Sequence, residues 1–198
     1  MPPFNAARRY RLADAAIELL AREGARGLTH RAVDSAAGEP PGTTSRYFRT
    51  RDALMRGVVE RVCDLHSADL ARAPRGPVDP AAIGDHLAGM AYQALTVNRS
   101  RHLAIAELFI EATRRPELHA AMTATRTAQI QLMRDIHHAA GIDLRADQAV
   151  LLVTAITGLI HTALTTPEAI GMRSAADIRD RIVNTVALVR ATPPARAA

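Results

Sequence analysis

The sequence predicts an all-α protein. Three observations carry that prediction. Apolar residues recur at helical spacing through most of the 198 positions, alanine is abundant while aromatics make up only 3%, and no convincing strand appears. Hydrophobic residues make up 48%, enough for a globular chain with one sizeable core, or a small domain joined to a larger one. The single cysteine, Cys63, excludes a disulfide framework within the chain and fits a reducing compartment. Met1-Pro2-Pro3 is not followed by an apolar signal core, and no apolar run approaches membrane-spanning length. The expectation is a cytoplasmic protein without a membrane partner.

The first helix is read from Arg8 to Glu23, with Leu12, Ala16, Ile17 and Leu20 as its apolar stripe and Gly24 ending it. A short helix follows Thr29, an N-cap whose hydroxyl accepts from a backbone N–H of the next turn. Ala32, Val33 and Ala36 give it a narrow stripe, and Gly38 closes it in the left-handed cap conformation. A second short helix is placed from Pro41, because proline suits the first helical position, through to Tyr47 and Phe48. Two short helices joined by a tight glycine-containing turn predict a helix-turn-helix.

A long helix is expected from Asp52 to about Ala71, with Leu54, Val58, Val62 and Leu65 inward and Asp52 favoured by the helix dipole. Arg72 to Pro80, rich in proline, reads as a surface loop. Further helices are placed at Ala81–Val97, Arg101–Arg114, Pro116 to about Ala140, Arg145–Thr165 and Ser174–Ala191, nine in all. The Arg101–Arg114 helix is apolar nearly all round, which predicts a buried element. Thr192 to Ala198 reads as a frayed tail.

The second short helix has an unusual composition. Thr43, Thr44 and Ser45 are mediocre helix formers, and Arg46, Tyr47, Arg49 and Arg51 follow at once. Such a set of donors suits phosphate oxygens and base edges of a major groove, and equally a solvated turn with surface arginines. Charge distribution bears on the choice. Positions 1–62 carry eleven arginines against seven acids, and positions 63–198 carry fourteen against thirteen. Almost all of the net +5 therefore lies at the helix-turn-helix end, as in a protein steered towards DNA.

The first fifty-odd residues resemble the TetR family of bacterial one-component transcription regulators. The resemblance is carried by AAIELLAREG, Leu28-Thr29, Arg31, Ala36-Ala37-Gly38, Gly42-Thr43, Tyr47-Phe48 and Arg51-Asp52-Ala53-Leu54, in order and without a gap. It implies a three-helix DNA-binding head over residues 1–51 and a ligand-binding and dimerisation core over residues 52–198. It also implies that Arg31, Thr43, Thr44 and Ser45 meet base edges or adjacent phosphates, and that Thr29, Gly42, Arg46, Tyr47 and Arg51 hold the DNA backbone. Arg8, Arg9 and Arg11 would lie near that backbone or form a solvated arm. Two positions depart from the family pattern: Pro40 stands where a capping serine is common, and Ser45 where an aromatic is common.

The larger half offers sparse chemistry. Glu107 and Glu111, one turn apart, would bind a ligand or metal, or more often pair with Arg101, Arg114 or Arg115. His137 and His138 point about 100° apart on a helix and cannot share one metal. His161 reads either as a polar anchor in a pocket or as a satisfied core histidine, and Cys63 and His66 are equally open. Together with Tyr92, Ile110 and Met133 these residues form the candidate ligand set, for an effector left unidentified. No metal-ligand spacing, phosphate loop, dinucleotide fingerprint or nucleophile elbow is present, so neither an enzyme nor a cofactor is expected.

By the family resemblance the last two long helices form a four-helix homodimer interface, assigned to Ala155, Gly158, Leu159, Ile178, Ile182, Val186 and Val189. A purely internal core is the alternative. For the whole chain the expectation is a homodimeric regulator, a repressor released from a palindromic operator by a small, mostly apolar molecule. The rival is an all-helical dimeric carrier of small molecules that binds no DNA, which leaves the hydroxyl-rich helix and the charge asymmetry unexplained.

Overall fold

The computed structural model of the chain describes residues 5–72, 79–80 and 82–193, without the side chains at 66, 67 and 69–72. The loop read between Arg72 and Pro80, the segment after Pro193 and the side chain of His66 thus fall largely or wholly outside the described residues. Nine α-helices and no strand are present among those residues. They are α1 (Ala6–Gly27), α2 (His30–Ala36), α3 (Thr43–Tyr47), α4 (Arg51–Arg72), α5 (Ile83–Leu95), α6 (Arg99–Ala112), α7 (Pro116–Ala139), α8 (Ala146–Thr165) and α9 (Ile178–Ala191). The all-α reading holds, with helix ends within a few residues of those expected.

The chain forms two compact units, residues 1–74 with 100–125 and residues 75–99 with 126–198. In the first, Leu12, Ala16, Ile17 and Leu20 of α1 are buried with Leu54, Val58 and Val62 of α4, as their spacing requires. Leu28, Val33 and Phe48 join them from the helix-turn-helix, and Ala104, Leu108, Leu118 and Met122 from α6 and α7. The core beneath the helix-turn-helix therefore draws on residues well beyond position 51. Of α6, expected to be buried nearly all round, only one stripe is: Ala104, Leu108 and Ala112 are covered, whereas Ile110 is 51% exposed.

α1 breaks at Gly24, whose φ of +67° lies in the left-handed region that glycine enters at no steric cost. α2 ends in a Schellman motif, with Gly38 N–H on the Ser35 carbonyl at 3.2 Å and Glu39 N–H on that of Asp34 at 2.9 Å.

In the second unit α5 packs along α9, and Gly84 lets the two approach to where an added Cβ would lie 3.3 Å from Cγ2 of Val183. Gln148, buried at the start of α8, donates to the carbonyls of Val189 and Arg190 at 3.1 and 3.2 Å, joining α8 to the end of α9. Ile178, Ile182, Val186 and Val189 are all buried within this one protomer. That corrects their assignment to a dimer interface, because a helical stripe records burial and not what buries it. α8 differs. Val150 and Leu151 are exposed, as is Gly158, and Ala155 and Leu159 are half-covered. With 20 residues α8 is also long and apolar enough, by length and composition, to cross a membrane, contrary to the sequence reading.

Candidate nucleic-acid interface

The turn between α2 and α3 is set by residues that sequence reasoning placed one step wrong. Pro41 does not open a helix. It occupies the second position of a four-residue turn, Pro40 to Thr43, with Gly42 third at φ +86°, ψ 0° and Thr43 N–H bonded to the Pro40 carbonyl at 3.1 Å. This is a type II turn, in which proline presets the second φ and only glycine takes the third without strain. α3 thus starts at Thr43.

Gly42 supplies no side-chain cap, and neither does Pro40. The cap comes from Asp34 on α2. Its carboxylate accepts the N–H of Gly42 at 2.7 Å, the N–H of Thr44 at 2.6 Å and the hydroxyl of Thr44 at 2.5 Å. Asp34 is only 3% exposed, and burial alone would raise its pKa. The bonds from Thr44 and Gly42, with His30 nearby, outweigh burial and hold the carboxyl below its usual range. Asp34 was not singled out from sequence, where an acid on a short helix has no local signature.

These bonds decide which hydroxyls face outward. Thr44 is fully buried and gives its hydroxyl to Asp34, while the buried Thr43 gives its own to the Pro40 carbonyl at 2.7 Å. Neither hydroxyl is presented to a base edge, which corrects that expectation. Ser45 and Arg46 on α3, Arg31 on α2 and Arg49 just beyond α3 are exposed, and Tyr47 is half-buried. Thr29 caps α2 as expected, accepting the N–H of Ala32 at 3.1 Å.

Arg51 is also placed differently from expectation. Its guanidinium donates to the carbonyl of Leu28 at 2.7 Å and to that of Ala25, so it braces the α1–α2 connection from the start of α4. At the other end of α3, the ring of His30 bonds the Phe48 carbonyl at 2.6 Å. The Phe48 ring covers Gly57 of α4, where an added Cβ would stand 2.2 Å from a ring carbon, and Arg9 lies over the ring at 5.0 Å. Arg9 also pairs with Glu60 at 2.6 Å. Arg8 and Arg11 both reach Oε1 of Glu39, at 3.2 and 2.9 Å. All three N-terminal arginines are thus engaged, Arg9 with Glu60 of α4 and Arg8 and Arg11 with Glu39 after α2.

The candidate ligand residues lie in both compact units. In the first, Cys63 Sγ is 3.5 Å from the Thr125 hydroxyl, and Glu107 accepts the N–H of Ala25 at 3.3 Å. Glu107 therefore holds backbone where an arginine partner was expected, while Glu111 does pair with Arg115, at 2.9 Å. In the second, Tyr92 and His161 are exposed and Met133 is half-buried. His137 is fully buried with Nδ1 on the Met133 carbonyl at 2.9 Å and Nε2 without a bond. A cleft of about 430 Å³ in the first unit runs between Asp52, Met55 and Arg56 of α4 and Arg114 to Leu118, and none of the candidate ligand residues lines it. Among the described residues no three His, Cys, Asp or Glu side chains converge as a metal site would require.

This arrangement defines a helix-turn-helix protein with a helical C-terminal domain. The family model for bacterial regulatory proteins of the tetR family matches residues 12–58, and that for the tetracyclin repressor-like C-terminal domain matches residues 78–188. The chain belongs to the TetR family.

No curated protein matches the sequence. Among solved structures, one assigned to a TetR-family transcriptional regulator of Rhodococcus sp. is similar over 94% of this chain and 100% of its own, with 21% identity and a TM-score of 0.77. A TetR-family member from Streptomyces coelicolor A3 is 25% identical over 90% of this chain and 97% of its own, with a TM-score of 0.66. The multidrug binding protein EbrR in complex with ethidium is 26% identical over 90% and 98%, with a TM-score of 0.67.

Proposed function

We propose that the chain acts as a homodimeric repressor that binds a palindromic operator and leaves it when a small, mostly apolar molecule binds the C-terminal domain. The observation that carries the DNA reading is the pair of short helices fixed by Asp34. It leaves Arg31, Ser45, Arg46 and Arg49 exposed while both threonine hydroxyls turn inward. In this reading Arg31 and Ser45 reach base edges and neighbouring phosphates, and Thr29, Gly42, Arg46 and Tyr47 lie along the DNA backbone. Arg51 serves by holding the head together. Two heads on successive major grooves would set half-site centres about 34–36 Å apart.

The dimer is formed through the exposed face of α8, with Val150, Leu151, Ala155, Gly158 and Leu159, because α9 spends its stripe internally. That EbrR, a similar protein, has been solved with ethidium, a flat aromatic cation, supports a small-molecule effector. A partner that is DNA places the protein in the cytoplasm.

Footprinting of the DNA flanking the coding region, at physiological salt with random competitor, tests this. A protected palindrome that Arg31→Ala with Arg46→Ala no longer protects is the expected result. If a genome-wide selection with the purified protein also enriches no sequence, the proposal fails and a DNA-free carrier takes its place.

A further inference from the structure

We infer that Glu107, on α6 and outside the helix-turn-helix, is a positioning residue for DNA recognition, acting through the backbone of Ala25. α1 breaks at Gly24, and the next residue is held on both sides: Ala25 N–H is bonded by the Glu107 carboxylate at 3.3 Å, and Ala25 C=O by Arg51. Arg51 reaches the Leu28 carbonyl as well, one residue before the N-cap of α2.

Breaking a helix frees N–H groups that its own carbonyls no longer reach, and a buried N–H must find another acceptor. Ala25 is 93% covered, so water does not readily replace the carboxylate. An added Cβ at Gly24 would lie 3.5 Å from Glu107 Oε2, so the carboxylate sits directly against the break. A carboxylate accepting a backbone N–H makes a charge-assisted bond, stronger than a neutral one. The α1–α2 connection is therefore clasped between an acid from α6 and a guanidinium from α4. The direction in which α2 leaves α1 depends on α6 being in place, and α3 follows because Asp34 of α2 carries its start.

This rests on the proposed DNA reading and extends it to a residue 82 positions along the chain from Ala25. If α6 shifts, the clasp at Ala25 opens and the recognition helix loses its register, while the exposed arginines keep their charge. Sequence-specific binding then falls and non-specific binding does not.

The test uses full-length protein with Glu107→Gln, which keeps an oxygen acceptor, and Glu107→Leu, which does not. Glu107→Ala replaces the leucine variant if that does not melt cooperatively. Affinity is measured for a duplex selected by the wild type and for a random duplex of equal length at the same salt. Amide hydrogen exchange at Ala25 is followed in parallel. The leucine variant should lose about tenfold or more on the selected duplex, the scale of one charge-assisted bond, with unchanged affinity for the random one. Glutamine should restore most of the loss, and exchange at Ala25 should accelerate only in the leucine variant. Equal losses on both duplexes, no loss at all, or a glutamine variant as impaired as leucine would each overturn the assignment. If the wild type selects no sequence, the DNA reading fails, and exchange at Ala25 alone decides whether the clasp exists.

Discussion

Asp34 accepts both the backbone N–H and the hydroxyl of Thr44, at 2.6 and 2.5 Å, and so fixes the recognition helix from the helix that precedes it. A carboxylate at a helix start satisfies unbonded N–H groups and complements the positive end of the helix dipole. Here it stands in for the capping serine that the family pattern favours at position 40. Asp34→Ala should cost about 3 kcal/mol, since it strands the buried donors of Thr44. Thermal unfolding measures the cost, and operator affinity should fall with it. An unchanged melting temperature would show that the cap is not carried by Asp34.

The same carboxylate makes the head sensitive to acid. Its folded pKa lies below the unfolded value of about 3.9, so its contribution is complete at neutral pH and is lost as pH falls below about 4. Asp34→Asn should flatten the stability profile in that acidic range. Melting curves between pH 3 and pH 5 compare the two.

His137 predicts a second pH effect at a higher range. Burial chiefly, and the charge of Arg190, lower its pKa against the opposing bond to the Met133 carbonyl. With a folded pKa below the unfolded value of about 6.5, the protein is most stable above that value and loses stability as pH falls from about 6.5 towards the folded pKa. In His137→Gln the melting temperature should not fall over this range as it does in the wild type. Parallel slopes in the two proteins would assign the effect to other groups.

Glu39 occupies Arg8 and Arg11 at once, with 9% of its own side chain exposed. Glu39→Gln should release two guanidinium groups beside the reading head. Affinity for random duplex should rise, and the slope of log K against log salt should steepen by about 1 to 2. Fluorescence anisotropy at three salt concentrations reads both. A slope identical to the wild type would mean the arginines stay engaged without the acid.

Gly57 gives Phe48 its place. Gly57→Ala sets a methyl group 2.2 Å from a ring carbon, on a helix where alanine is otherwise the better residue. Overpacking should prevail and destabilise the protein by about 1–3 kcal/mol, read by thermal unfolding. An increase in stability would show that the ring shifts without cost.

Leu151→Arg probes the association of α8. Leu151 and Val150 are exposed on the most apolar helix, and Leu188 of α9 is 71% exposed. Large apolar side chains exposed along one helix mark a surface for association. Sedimentation should change from dimer to monomer in the variant, with the helical signal unchanged. A dimer that survives the charge would move the interface elsewhere.

Much of this protein was legible in its sequence because the determinants are local. Apolar spacing located the nine helices, and the left-handed glycines at positions 24 and 38 follow from turn chemistry that neighbouring residues dictate. The ordered motifs from Ala15 to Leu54 were enough to identify the family. The Pro40–Thr43 turn was equally local but admits two readings, since proline suits both a type II turn and a first helical position.

Only the tertiary structure decided which polar groups face outward and what each stripe packs against. Thr44 and Ser45 are adjacent and chemically alike, yet Asp34 turns one inward and leaves the other exposed. The stripe of α9 is as apolar as an interface requires, yet its own unit covers it. Glu107 finds its partner 82 positions away in a backbone N–H that a helix break sets free. Periodicity reports that a residue is buried, whereas its partner depends on contacts between segments distant in sequence, which exist only once the chain has folded.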